Sequence, residues 1–176
     1  MKINQKQKRI IIVVLVSVFF IAMIISMQFV GLSKTSVEGR SEFDVHLTYY
    51  SGEYFYDTVS LMTEQDIKDY SIFHIVDNFF VISYFLLMVI LTYPLLNKKN
   101  KKFAFIIPAV PAIFDFIENI SIDLLIRAYP TEVGYAKFMG VVTCLKWYSG
   151  VLWLAILAGL FVAWLVRKKR KSQQSI

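Results

Sequence analysis

The chain has 176 residues, of which 57% are hydrophobic, and it carries a formal net charge of +6 at pH 7. This composition is too apolar for an ordinary soluble domain, and the length suits one compact helical bundle. The positive charge does not indicate nucleic-acid binding, because thirteen of the nineteen Lys and Arg residues lie in three short clusters, at 2–9, 98–102 and 167–171.

The acidic residues follow the opposite pattern. All thirteen Asp and Glu residues lie between Glu38 and Glu132, and the three basic clusters contain none of them. Four long apolar stretches alternate with the clusters, and segments rich in Lys and Arg remain in the cytoplasm. We therefore predict an all-α integral membrane four-helix bundle, a single domain over 1–176, with both the N and the C terminus cytoplasmic.

The first predicted span covers about 10–31. A basic start before an apolar run is also typical of a secretory signal. Here, however, the uncharged run extends from Ile10 to Ser33, which is longer than the roughly 7–15 apolar residues of such a signal. We therefore expect an uncleaved, lipid-facing anchor. Cleavage would instead leave three spans and place the mature N-terminus outside.

An extracytoplasmic segment is predicted at 32–71, and it is rich in aromatic residues. They are Phe43, Tyr49, Tyr50, Tyr54, Phe55, Tyr56 and Tyr70. Ser51 predicts the start of a short helix that runs to about Met62, and Thr63 with Asp66 has the spacing of a capping box. We expect a helical, aromatic cap that rests on the outer end of the bundle.

Three further spans are predicted at about 72–96, 103–127 and 138–166. The basic turn 97–102 separates the first two of them. Because this turn is short, the two helices that it joins form an antiparallel hairpin.

The last two spans contain residues that bear on helix shape and packing. Pro108 and Pro111 remove backbone donors, and we expect them to bend the third span. In the fourth span Ala155, Gly159 and Ala163 form a small-residue stripe, which is suited to close packing against another helix.

Ionisable residues occur inside or beside the apolar spans, where charge is costly. We measure depth along each helix from its basic edge, at Lys98, Lys102 or Arg167, with a rise of about 1.5 Å per residue. Asp77, Asp123 and Lys146 each lie ~31 Å from the edge of their own helix. With a hydrocarbon core of ~30 Å, these three reach the outer interface. Asp115 at ~20 Å and Glu118 at ~24 Å lie within the apolar layer. There, two carboxylates one turn apart repel each other unless they are solvated, protonated or neutralised.

Helical periodicity places the polar residues of the last three spans on broad common faces. We predict that these faces line an outward-facing acidic pocket. The candidate ligand-binding residues are His74, Asp77 and Tyr84 on the second span, Asp115, Glu118 and Asn119 on the third, and Lys146 on the fourth.

Some of the charged residues also have a structural interpretation. Lys146 is typical of an interfacial lysine that extends toward water, although its reach also allows an ion pair with Glu118. Asp123 and Arg127 have the i,i+4 spacing of a helix-stabilising pair, and we expect them to be structural.

Two i,i+3 pairs, His74 with Asp77 and Asp115 with Glu118, have a spacing used by carboxylate metal bundles. They are offset by roughly 10 Å along the bundle, which is too far for one ion. His74 and Asp77 are alternatively wetted residues of the interface. We predict no metal and no cofactor, and the sequence identifies no catalytic residue.

The D-x-x-E-N pattern at 115–119 and the K-W pair at 146–147 resemble those of uncharacterised bacterial four-span integral membrane proteins. The similarity extends over about 43–153 and includes Tyr50 and Tyr70. It implies a four-helix bundle in the bacterial cytoplasmic membrane and carries no established activity. Sterol-binding and isomerase proteins of the EXPERA type also place carboxylates in a bundle of few spans, which is an analogy only.

The sequence is compatible with three functions. The first is a multi-pass membrane protein whose acidic pocket binds a cation, a proton or an amphipathic ligand. The second is a membrane-embedded hydrolase or lipid-modifying enzyme that uses His74, Asp77 and the third-span carboxylates, although no specific motif supports enzymatic activity. The third is a structural or accessory subunit that uses the small-residue stripe as its interface. The predicted partners are the lipid bilayer, anionic lipid head groups at the basic flanks, and a membrane protein or second copy, with no nucleic acid.

Overall fold

The computed structural model describes residues 4–30 and 43–173. Within these ranges the chain is predominantly helical and contains no β-strand. The α-helices are α1 Gln5–Val30, α2 Gly52–Val59, α3 Glu64–Thr92, α4 Phe103–Ala128 and α5 Met139–Gln173. Four of them, α1, α3, α4 and α5, are long and apolar enough to cross a membrane. The predicted helical class and four membrane-length helices are therefore confirmed, while 31–42, part of the predicted first span and outer segment, lies outside the described residues.

Side-chain caps determine where the first two helices begin. Gln7 N donates to Asn4 Oδ1 at 2.8 Å and Asn4 N donates to Gln7 Oε1 at 2.9 Å, which is a reciprocal capping box for α1. The Ser51 hydroxyl accepts a backbone hydrogen bond at the start of α2, as predicted. The predicted end near Met62 is wrong, because α2 ends at Val59.

The third and fourth helices differ in length from the predicted spans. Thr63 and Asp66 form the predicted capping box, so α3 begins at Glu64 and extends beyond the apolar segment toward α2. α4 is continuous through Pro108 and Pro111. The bend expected at these prolines stays a prediction.

The four long helices pack in the order α1, α3, α4 and α5, each along its neighbour. Contacts between residues 77 and 119, 84 and 115, and 115 and 146 show that α3, α4 and α5 run antiparallel in turn. α1 joins the bundle through apolar contacts such as the stacked rings of Phe20 and Phe80, whose centroids lie 5.7 Å apart. None of the α1 residues is buried.

Residues 43–62, which we name the cap, cover one end of the bundle, here named the capped end. The main buried cluster of the protein lies there, between the cap and the adjoining ends of α3, α4 and α5. Phe43 and Phe55 pack with ring centroids 4.5 Å apart, and the Tyr70 hydroxyl accepts a hydrogen bond from Phe43 N at 3.2 Å. The prediction of a helical, aromatic cap on an end of the bundle is confirmed.

The opposite end, here named the basic end, carries the turn 97–102 and the basic residues 167–170. Arg167 donates to Leu95 O at 2.7 Å and to Asn97 Oδ1 at 2.5 Å. These bonds attach α5 to the segment that connects α3 with α4, so a residue of the third basic cluster also stabilises the fold.

Between the two ends of the bundle, a hydrogen bond joins α5 to α3, and a long face of α5 is exposed. Trp153 Nε1 donates to Thr92 Oγ1 at 3.1 Å. Ala155, Gly159 and Ala163 are exposed, and the space around Gly159 is open. Within the described chain, the small-residue stripe is therefore not used for packing between helices.

Candidate functional site

A buried lysine of α5 lies between two carboxylates of α4. The Lys146 ammonium contacts Glu118 Oε2, and its Nζ atom lies 3.5 Å from Asp115 Oδ1. Glu118 is fully buried, while Asp115 and Lys146 are 7% and 9% exposed. The ammonium offsets the repulsion of two carboxylates that lie one helical turn apart. We name these three residues the acidic cluster, and it contains the Lys146–Glu118 pair that the sequence allowed.

Three hydroxyl groups surround the acidic cluster. The Tyr84 hydroxyl donates to Asp115 Oδ2 at 2.8 Å, and the Thr143 hydroxyl contacts Glu118 Oε1. Tyr50 of the cap places its hydroxyl 3.4 Å from the same Thr143 oxygen. The carboxylates thus receive hydrogen bonds from α3 and α5, and the cluster is linked to the cap.

A second polar contact joins α3 to α4. Asn119 Nδ2 donates to Asp77 Oδ2 at 2.7 Å and to Asn78 Oδ1 at 3.3 Å. Asp77 and Asn119 are both buried. A buried carboxylate is costly without a hydrogen-bond donor, and the Asn119 amide supplies one.

His74 belongs to a third polar contact, closer to the capped end. Its Nδ1 atom lies 2.9 Å from Asp123 Oδ1, and the Ser71 hydroxyl lies 3.4 Å from the same oxygen. Arg127 lies 3.8 Å from the other oxygen of Asp123, in the predicted i,i+4 pair. His74 and Asp77, which the sequence grouped as one pair, therefore take part in separate contacts between helices.

A cavity of about 460 Å³ opens beside the acidic cluster, and α1, α3, α4 and α5 all contribute to its walls. Its apolar side chains include Phe20, Met27, Phe73, Phe80, Met88 and Pro111, together with Val45 of the cap. Its polar side chains are Gln28, Asp77, Tyr84, Asp115 and Lys146. This size, with mainly apolar walls and a few polar groups, is typical of a small-molecule pocket.

The cavity extends past its polar groups toward the basic end. On α3, Asp77 and Met88 are separated by ~16 Å of helix. On α4, Pro111 lies one turn closer to the basic end than Asp115. Asp77 is the lining carboxylate nearer the capped end, whereas Asp115 lies deeper, in contact with Tyr84 and Lys146. Met88 and Pro111 line the cavity toward the basic end, and Phe73 lines it one turn beyond Asp77 toward the capped end.

The helices α1 and α5 face each other across the cavity. Among the described helices, α1 packs along α3 and α5 packs along α4, with no extended contact between α1 and α5. Ile24 of α1 and Trp147 of α5 both line the cavity, and they are 40% and 38% exposed. The cavity thus adjoins a gap between these two helices.

Four of the seven predicted pocket residues line the cavity, namely Asp77, Tyr84, Asp115 and Lys146. Glu118 and Asn119 lie behind them, in contact with Lys146 and Asp77 respectively. His74 is not part of the lining. Within the two described ranges, no three His, Cys, Asp or Glu side chains form a set that could hold a metal ion.

Sequence reasoning missed the contribution of α1 to the site. We expected this helix to be only a lipid-facing anchor, but Phe20, Met27 and Gln28 form one wall of the cavity. Gln28 is one of the few polar residues in the apolar run and was the available signal. Asn78 was also missed, because an amide next to Asp77 gives no separate pattern.

Comparison of the chain with family models, with curated proteins and with solved structures finds no match. The resemblance to bacterial four-span proteins therefore stays a prediction. The function has to be argued from the chemistry of the cavity and of the acidic cluster.

Proposed function

We propose that the chain is a multi-pass protein of the bacterial cytoplasmic membrane that binds a positively charged ligand at the acidic cluster. Among the residues that line the cavity, Asp77 and Asp115 are accompanied by one ammonium, that of Lys146. Glu118 adds a third carboxylate directly behind it. The observation that carries the proposal is this excess of buried carboxylate over ammonium beside a cavity of about 460 Å³.

A cation in the cavity would reduce the electrostatic cost of this arrangement. Ionised carboxylates in apolar surroundings are expensive unless they are paired. Lys146 compensates one charge, so two negative charges remain when all four groups are ionised. A cation within ~4–6 Å favours the ionised carboxylates, whereas an anion adds repulsion. Protonation meets the same need, so protons compete with the ligand.

The proposed orientation has both termini and the 97–102 turn in the cytoplasm. It is supported by the charge pattern, because Lys and Arg are retained on the cytoplasmic side. In this orientation the capped end lies outside, and the acidic cluster lies in the outer half of the membrane.

The proposal is tested with alkylamines and with carboxylates of matching length, butylamine against butyrate and dodecylamine against dodecanoate. Each probe is titrated into the full chain in lipid nanodiscs, and calorimetry follows binding after subtraction of empty nanodiscs. We expect at least one amine to bind more tightly than the carboxylate of its length. We expect Asp115→Asn to weaken this binding by about tenfold to a hundredfold, because a hydrogen bond to a charged group contributes ~1.5–3 kcal/mol.

The matched control is Glu64→Gln, which removes an exposed carboxylate at the start of α3 and should leave amine binding unchanged. Asp77→Asn is a second cavity variant and should also weaken binding. Amines and carboxylates that bind equally well would overturn the proposal. The same holds for amine affinity that is unchanged in both cavity variants.

A further inference from the structure

We propose that the ligand is a membrane amphiphile with a primary ammonium head group. Its head lies at the acidic cluster and its alkyl tail lies in the apolar part of the cavity. This inference rests on the proposed function, because it assigns a chemical class to the cation.

The length and polarity of the cavity match a lipid chain in one leaflet. Asp77 and Met88 are ~16 Å apart along α3, and half of a ~30 Å hydrocarbon core is ~15 Å. Asp77 lies ~31 Å and Met88 ~15 Å from the basic edge at Lys98, and Asp115, which contacts Lys146, lies ~20 Å from the edge at Lys102. An ammonium held between Asp77 and Asp115 therefore lies in the part of the apolar layer next to the capped end, and its tail extends toward Met88, near the midplane. This is the orientation of a lipid in the leaflet next to the capped end.

The gap between α1 and α5 gives the cavity access from the side. Exposed apolar side chains, Ile24 and Trp147, stand at its two edges. At the capped end, the Tyr50 hydroxyl lies against Thr143, which contacts Glu118. An entry route between the two helices suits a molecule that diffuses within the membrane. It suits a hydrated ion less well.

The head chemistry follows from the acceptors around the cavity. A primary ammonium has three donors and no acceptor, and the carboxylates of Asp77 and Asp115 accept hydrogen bonds from such a group. The Trp147 indole also lines this part of the cavity, and the Lys146 ammonium already lies 5.6 Å from its ring centroid, as expected for the attraction of a cation to an aromatic face. A neutral alcohol of the same length lacks the charge that compensates the carboxylates.

Gly150 provides a way to test where the tail lies. It lines the cavity one turn from Lys146 on the side of the basic end, and a Cβ added there meets no atom within 4 Å. Gly150→Phe therefore places a ring in the space for the tail. Gly159→Phe is the matched control, because Gly159 is on the same helix and equally open, but does not line the cavity.

Binding of butylamine and dodecylamine to the full chain in nanodiscs is measured by calorimetry, with empty nanodiscs subtracted. We expect the dissociation constant of dodecylamine to be at least about tenfold lower than that of butylamine, because buried methylene groups favour binding. Gly150→Phe should raise the dissociation constant of dodecylamine by about tenfold and that of butylamine by less than about twofold. Gly159→Phe should change neither.

A second variant tests the far end of the cavity and does not depend on the folding of Gly150→Phe. Met88→Trp reduces the space near the midplane, so it should weaken dodecylamine binding and leave hexylamine binding unchanged. Butylamine that binds as tightly as dodecylamine would overturn the inference and leave the proposed function intact. Equal effects of Gly150→Phe and Gly159→Phe on the dissociation constant of dodecylamine would also overturn the inference and leave the proposed function intact. Amine binding that is unchanged in both Asp115→Asn and Asp77→Asn would overturn both the inference and the proposed function.

Discussion

The ammonium of Lys146 contacts carboxylates from two successive turns of α4, and all three side chains are buried. The helix places Asp115 and Glu118 one turn apart, and an ammonium from a different helix offsets their repulsion. Removal of one partner from a buried ion pair usually costs more than the net contribution of the pair, because the remaining charge is left uncompensated. The stability and the charge of the cavity thus depend on the same lysine.

We predict that Lys146→Met lowers the free energy of unfolding by about 3–5 kcal/mol, because two carboxylates then remain in apolar surroundings. The measurement is denaturant-induced unfolding of the purified protein in detergent. Lys137→Met is the control, since Lys137 is exposed at the capped end and its replacement should have little effect. Adding Glu118→Gln to Lys146→Met should recover part of the loss. Equal stability of the two lysine variants would contradict the predicted role.

At the scale of the elements, the first turn of α5 determines how the cap is attached. A Cβ added at Gly140 would collide with the backbone N and O atoms of Tyr50. The absence of a side chain therefore allows the cap backbone to lie directly on the helix. This contact also positions the Tyr50 hydroxyl beside Thr143, next to the acidic cluster.

We predict that Gly140→Ala lowers the free energy of unfolding by about 1–3 kcal/mol, because the cap backbone has to move away from α5. Gly159→Ala is the control. It adds a methyl group in open space, and alanine has the higher helix propensity by ~1 kcal/mol, so it should be neutral or slightly stabilising. Denaturant-induced unfolding measures both variants, and hydrogen exchange in 43–62 should increase only in Gly140→Ala. Unchanged exchange in the cap would contradict this account.

The sequence predicted the elements better than it predicted their contacts. Local signals such as Ser51 and the Thr63–Asp66 box correctly located helix starts, because capping depends on neighbouring residues. Helical rise from the basic edges placed Lys146 ~11 Å closer to the capped end than Asp115, yet the two side chains are in contact, because the ends of α4 and α5 are not level with each other. The pairing of His74 with Asp123 could not be predicted, because it depends on how α3 and α4 are rotated against each other. The nearly continuous apolar run of α1 from Ile10 onward likewise leaves its orientation unspecified.

At the scale of the whole molecule, the proposed orientation predicts which loops face the outside. In a Cys144→Ala background, Asn100→Cys in the basic turn should not react with a membrane-impermeant maleimide in intact cells. Gly134→Cys, in the exposed connection at the capped end, should react. Permeabilised cells provide the control, in which both variants should be labelled. Labelling of Asn100→Cys in intact cells would contradict the orientation.

The ion pairs and hydrogen bonds described for the acidic cluster join α3, α4, α5 and the cap, whereas Phe20, Ile24 and Met27 of α1 meet the cavity with apolar surface. Apolar contacts have no preferred direction, so a different position of α1 on α3 would break none of those polar bonds. The position of α1 consequently sets the width of the cavity, while the polar contacts among α3, α4 and α5 fix the spacing of its charged groups. Ligands with alkyl tails of different width can then bind without a change in the positions of the charged groups.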